Sequence, residues 1–197
     1  VGKLQCKKCG KTVEQPEIEY CFDCSKGCNS YERGYPVFEY NEVIKKSIFR
    51  YKYGNRREYA DFYCNEILNR YGLQLKQEKF DLIIPVPLSK KRMIKRGFNQ
   101  SELLALRIAK YLNTKLDTTS LKRIIETKPQ KILSSGQRQK NLKNAFQVRD
   151  NSVELKKILL VDDIYTTGST VNACSKKLIE KGALSVHYIS IAVGRGM

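Results

Sequence analysis

The chain has 197 residues, 41% of them hydrophobic and 29% charged, a globular composition that excludes wholesale disorder and fits one ordinary domain plus a small appendage. The longest run free of charged or strongly polar side chains covers only residues 82–88 and holds two prolines, so no membrane insertion is expected; the N-terminus, opening on Val1, reads as trimmed upstream and resembles neither a signal nor a transit peptide, which points to the cytoplasm. The net charge of +17 is uneven: residues 76–149 carry 18 basic against 5 acidic groups, whereas residues 1–75 and 150–197 are close to balanced.

Residues 1–34 are turn-rich, with Gly10, Pro16, Gly27 and Gly34, and show no sustained apolar period. Cys6-x2-Cys9 and, eleven residues later, Cys21-x2-Cys24 offer four thiolates in two turns, the way a short chain builds a tetrahedral zinc site. Seven cysteines, an odd number, suit a metal in a reducing compartment better than a disulfide framework. Cys28 is an alternative ligand. Four thiolates leave no position open to substrate, so the expected Zn2+ is structural, and about 10–16 kcal/mol of binding energy is enough to fold some thirty residues that lack a core. The expected division is a zinc-binding module over residues 1–34 and a second domain over 35–197.

From Tyr35 the texture changes. Val37, Phe38 and Tyr40 predict a short strand, Ile44, Ile48 and Tyr51 a helix, and Phe62, Ile67 and Tyr71 a second amphipathic helix. Residues 80–87 read as a buried strand, and residues 99–112 as a helix with Leu103, Leu104, Leu106, Ile108, Tyr111 and Leu112 on its core face. Residues 119–125 and 145–148 predict further short strands. Residues 128–144, polar and basic, read as a mobile loop. Residues 156–161 form the clearest strand, ending at Asp162 and Asp163; a TTGST turn, a helix over 171–181 closed by Gly182, and a strand over 186–193 complete the chain. Cys64 and Cys174 read as core cysteines. The single histidine, His187, excludes a His-rich metal centre and reads as an ordinary strand residue. Strands alternating with helices predict an α/β fold with a doubly wound, mainly parallel sheet, whose ligands sit beyond the carboxyl ends of the strands.

The segment ILLVDDIYTTGST, residues 158–170, carries the most chemistry. A buried strand delivers two carboxylates to the sheet edge, and a Thr/Gly/Ser loop opens a helix whose unpaired N–H groups suit a phosphate. Adjacent carboxylates suit the vicinal hydroxyls of a ribose, directly or through a metal ion; two aspartates capping a turn before an ordinary helix is the plainer alternative. Phosphate plus diol describes a ribose 5-phosphate.

DDIYTTGST after a hydrophobic strand resembles the phosphoribosyl diphosphate (PRPP) signature of type I phosphoribosyltransferases. Together with PVPLSKKRMIKRGFNQ at 85–100, RQKN at 138–141 and the paired cysteines, it makes essentially the whole chain similar to the ComF family of competence proteins. The resemblance implies that Asp162 and Asp163 contact the ribose hydroxyls and act in any catalysis, and that Thr166, Thr167, Gly168, Ser169 and Thr170 surround the 5-phosphate. It puts Val86, Pro87 and Leu88 in the pyrophosphate loop, with Lys90, Lys91, Arg92 and Arg96 as candidate cations and Arg96 the first choice among them, and Mg2+ bound with PRPP. It also implies import of transforming single-stranded DNA alongside a competence helicase.

Neutralising a diphosphate takes two or three cations, fewer than residues 76–149 carry, so a polyanion is an expected partner. Single-stranded DNA is the expected one, with Lys90, Lys91, Arg92, Lys95, Arg138 and Lys140 as contacts. Few aromatic residues lie within this basic stretch, which gives little support to base stacking there. No base-recognition segment is evident after the last strand, and residues 35–75 are the other candidate. The two readings are a PRPP-binding protein of DNA uptake and an active transferase of ribose 5-phosphate to an unidentified acceptor.

Overall fold

The computed structural model describes residues 1–2, 4–27, 29–125, 142 and 144–194. Its strands are β1 (Gly34–Glu39), β2 (Leu82–Pro85), β3 (Lys115–Leu116), β4 (Leu121–Arg123), β5 (Phe146–Val148), β6 (Lys157–Tyr165) and β7 (Ser185–Val193). Its helices are α1 (Phe22–Ser25), α2 (Glu42–Tyr53), α3 (Tyr59–Gln77), α4 (Lys90–Arg96), α5 (Gln100–Leu112) and α6 (Ser169–Glu180). Five strands make one sheet in the order β1-β7-β6-β2-β3, with every pairing parallel, as expected; β4 and β5 form a separate antiparallel ribbon.

Successive side chains of a strand point to opposite faces, and both faces of this sheet are covered. Ile83, Leu159, Val161, Ile189 and Ile191 pack with α2, α3 and α5 through Ile48, Tyr51, Ile67, Leu75, Leu104 and Ile108. Leu82, Ile84, Ile158, Leu160, Val186 and Tyr188 pack on the other face with Val171, Cys174 and Leu178 of α6, with Phe146 and Val148 of the ribbon, and with the four N-terminal cysteines. The cysteine segment thus covers one face of the sheet together with α6 and the ribbon. A doubly covered sheet explains why its strands read as continuous apolar runs.

Local signals set the ends of the helices. Asn41 Oδ1 accepts from Ile44 N (2.9 Å) and caps α2; Asn99 Oδ1 accepts from Ser101 N (3.1 Å) and caps α5. The chain leaves α6 through Gly182 at φ +85°, the left-handed conformation that favours glycine.

Several expectations need correcting. β6 runs through both aspartates to Tyr165, because β7 pairs with it in register from Lys157↔Ser185 to Tyr165↔Val193. Within residues 119–125 only Leu121–Arg123 form a strand, and it lies in the ribbon rather than in the sheet. Leu106 (53% exposed), Tyr111 and Phe62 face solvent, since apolar residues on the α5 and α3 sequences outnumber the positions that face the core. Cys64 and Cys174 are buried, and His187 is an inward residue of β7 beside Tyr35 and Phe80. No described helix is long and apolar enough to cross a membrane. Cys28 and the greater part of the 128–144 loop lie outside the described residues.

Candidate functional site

β6 connects through α6 to β7 on one side, and β2 connects through α5 to β3 on the other, so the topology switches between β2 and β6. Open α/β sheets form their crevice at such a point, beyond the carboxyl ends of the strands. Val86, Pro87 and Leu88 leave β2 there, with Val86 N donating to Val161 O (2.9 Å) and Asn99 Nδ2 donating to Val86 O (3.1 Å). Asp162 and Asp163 lie at the same edge.

As neighbours on a strand the two aspartates point to opposite faces. Asp163 faces α2 and α5: Lys52 Nζ lies 2.5 Å from its Oδ2, and Gln100 Nε2 donates to the same oxygen at 2.7 Å. Asp162 faces α6, and its Oδ1 accepts from Asp163 N (2.8 Å). Both are buried. Burial, with the charge on Asp163 behind it, pushes the Asp162 carboxyl up to about 7. Burial acts on Asp163 too, but Lys52, with Arg96 and Gln100, outweighs it and holds that carboxyl below the usual carboxylate range. One strand end therefore holds an ionised carboxylate beside one poised near neutrality.

The loop 166–170 follows directly. Gly168 adopts φ +74° at the start of α6, and the Thr167 and Ser169 hydroxyls lie 2.8 Å apart. A β-carbon on Gly168 would overlap the Tyr165 hydroxyl, so glycine is required for two independent reasons. Gly168→Ala is expected to destabilise the protein by about 3 kcal/mol, from left-handed strain and overpacking together. A fall in Tm of about 10 °C by scanning calorimetry is the expected reading, and an unchanged Tm would show that the loop re-forms freely.

Arg96 links the basic helix to this network: its guanidinium donates to Gln100 Oε1 (2.8 Å) and to the Tyr53 hydroxyl (3.0 Å). Lys90, Lys91, Arg92 and Lys95 lie on α4 with Arg96; Arg138 and Lys140 lie outside the described residues. Sequence reasoning missed Lys52 and Gln100. Lys52 is one of several cations on an amphipathic helix, with nothing in its spacing to mark it. Gln100 follows the capping Asn99 and reads as helix start, though a glutamine buried at 3% exposure demands a polar partner.

On the second face, the Sγ atoms of Cys6, Cys9, Cys21 and Cys24 all lie within 4.8 Å of one another, and all four residues are buried. Tetrahedral ligation at about 2.3 Å per thiolate requires sulfurs about 3.8 Å apart, so the set fits one ion; Cys9 and Cys21 Sγ are 3.5 Å apart. Hydrogen bonds among the thiols hold Cys6 and Cys21 low and push Cys9 and Cys24 high. A cation is what allows all four to ionise together. Three tyrosines connect this cluster to the loop: the Tyr188 hydroxyl donates to Cys9 O (2.7 Å), Tyr188 stacks on Tyr165 at 4.8 Å, and the Tyr31 and Tyr165 hydroxyls lie 2.6 Å apart. Ser30 N also donates to Asn172 Oδ1 on α6 (2.6 Å).

The competence protein ComFC of Streptococcus pneumoniae is 32% identical over 97% of this chain and 81% of its own length. The chain belongs to the ComF family. Other relatives of this ComF chain are competence protein F of Haemophilus influenzae, 32% identical over 95% of the chain and 83% of its own length, and the DNA utilization protein YhgH of Escherichia coli, 32% identical over 93% and 82%. Among solved structures, a purine phosphoribosyltransferase from Pyrococcus horikoshii is similar with a TM-score of 0.43, 17% identity and coverage of 67% of this chain and 74% of its own. No family model matches this ComF sequence.

Proposed function

We propose that the chain is a PRPP-binding, phosphoribosyltransferase-like protein acting in natural competence, in the uptake and import of transforming single-stranded DNA. The observation that carries the reading is the placement of Asp162 and Asp163 near the carboxyl end of β6, two residues before the loop 166–170 and beside the loop 86–88 that leaves the adjacent strand. Relatives named for competence and for DNA utilization support the cellular role. The protein works in the cytoplasm, alongside a competence helicase.

In this reading Asp162 and Asp163 hold the ribose hydroxyls. Thr166, Thr167, Ser169 and Thr170, with backbone N–H groups that Gly168 leaves accessible, hold the 5-phosphate. Val86, Pro87 and Leu88 line the diphosphate, and Arg96 turns from Gln100 and Tyr53 to meet it. Magnesium bound with PRPP supplies further positive charge to the diphosphate. Residues 1–34 form a zinc-binding module on Cys6, Cys9, Cys21 and Cys24, and residues 35–197 the phosphoribosyltransferase-like domain. The cations of α4, with Arg138 and Lys140, meet the DNA phosphates.

Calorimetric titration of PRPP with magnesium into wild type and into the Asp162→Asn/Asp163→Asn variant tests the site. Heat from wild type that disappears in the variant is the expected result; no heat from a folded wild type sinks it. Single-stranded DNA added in a parallel cell separates the second reading, because pyrophosphate released on its addition makes transfer to an acceptor the working activity.

A further inference from the structure

Helix α2 has two faces of different character. Ile44, Ile48 and Tyr51 recur at helical spacing and pack toward the sheet. Lys46, Phe49, Arg50 and Tyr53, at spacings of three and four, make a continuous stripe on the opposite side, and all four are exposed. Phe49 is 60% and Tyr53 44% exposed, with their rings 5.0 Å apart. A globular helix ordinarily reserves such rings for its buried face.

α4 extends the stripe. Arg96 sits over the Tyr53 ring at 4.9 Å and Lys95 at 5.5 Å. Residues 42–57 and 90–96 together hold eleven basic side chains and one acidic one within the two segments, Glu42. The surface therefore offers an exposed Phe49 ring, and beside it an exposed Tyr53 ring that Arg96 and Lys95 approach, set among cations. Rings stack on bases irrespective of sequence, and cations follow the sugar-phosphate chain, which is the chemistry of single-stranded nucleic acid. An apolar protein partner or a second copy of the chain would meet an excess of positive charge that the pairs Lys45–Glu42, Lys52–Asp163 and Arg56–Glu58 offset only in part, and a duplex would present no open base faces.

We propose that Phe49 and Tyr53 form a stacking platform for unpaired bases of a single-stranded nucleic acid, with Lys46, Arg50 and Lys95 on its phosphates. The proposal rests on the DNA-binding reading above and gives it a location. It also joins the two functions. Arg96 divides its guanidinium between Tyr53 and Gln100, and Lys52, the residue before Tyr53, pairs with Asp163. The platform is thus linked to Asp163 through Arg96 and Gln100 and through Lys52.

Fluorescence anisotropy with a labelled oligothymidylate of about twenty nucleotides tests this on the full chain. Phe49→Ala/Tyr53→Ala is expected to weaken binding about tenfold per ring while leaving the dependence of log Kd on log salt unchanged, since every cation stays in place. Lys46→Ala/Lys95→Ala should instead flatten that dependence by about 0.7 for each phosphate no longer neutralised. Tyr53→Phe, which keeps the ring, should bind as wild type. A duplex of the same length should not distinguish wild type from the ring variant. Unchanged oligothymidylate affinity in a Phe49→Ala/Tyr53→Ala protein with wild-type melting overturns the platform alone; absence of oligothymidylate binding by wild type overturns the reading beneath it. Equal loss of duplex binding overturns stacking in favour of charge, and loss of self-association with DNA binding intact would make the face a protein interface.

Discussion

Stripping the metal from the four-cysteine cluster, or replacing Cys9 with serine, is expected to unfold most of the molecule and not the first thirty residues alone. A structural zinc ion contributes about 10–16 kcal/mol of apparent folding energy, against a net stability of about 5–15 kcal/mol for an ordinary domain. The four cysteines belong to the same apolar cluster as Leu82, Ile158, Leu160, Val186 and Tyr188, so opening the segment exposes part of one face of the sheet and loosens the packing of the rest. Calorimetry with and without a strong chelator, paired with metal analysis by atomic emission, should show one zinc per chain and a melting transition that collapses on its removal. Retention of the full transition in metal-free protein would mean that the cysteines are apolar filling.

The second large effect runs the other way. Asp162→Asn is expected to stabilise the unliganded protein above neutrality while removing the proposed PRPP binding. The Asp162 carboxyl titrates near 7 in the folded protein against a reference of 3.8. A folded value above the unfolded one means that the native state holds a proton the unfolded chain has released. Stability relative to the Asn variant is thus undiminished below about pH 4, falls as pH rises toward 7, and stays low beyond it. Three units at about 1.4 kcal/mol each place the ceiling of the gain at about 4 kcal/mol. Asparagine keeps the oxygen that accepts from Asp163 N, so the local geometry survives. Urea unfolding of wild type and variant at pH 5 and pH 8 should show a difference that grows with pH; equal stabilities at pH 8 would mean that Asp162 is well solvated. Such a gain is the usual sign of a group kept for binding at the expense of the fold.

The sheet was legible because β2, β6 and β7 are unbroken apolar runs, and the caps at Asn99 and Gly182 announce themselves by residue type. The acidic pair and its loop were legible because strand, carboxylates and Gly-containing turn are contiguous. α4 was not: KKRMIKR has five cations in seven residues and scarcely any apolar period, and it forms between Ser89 and a left-handed Gly97. The length of β6 was hidden for a different reason, since its continuation past Asp163 depends on β7, twenty residues further on. The Lys52–Asp163 pair and the Phe49–Tyr53 stripe arise from tertiary placement, and the composition of the basic stretch pointed away from α2 as the site of accessible rings.

The tyrosine bridge gives the molecule a built-in spectroscopic reporter. The chain contains no tryptophan and twelve tyrosines, so ultraviolet emission comes from tyrosine alone. Tyr165 and Tyr188 stack within 9° of parallel, Tyr31 meets both edge-on, and the three span from the cysteine cluster to the loop 166–170. Rings fixed at this distance couple their transitions and give a near-ultraviolet dichroism that free tyrosines lack. Loss of the ion at one end and occupation of the loop at the other should therefore be visible, without a label, in the same band.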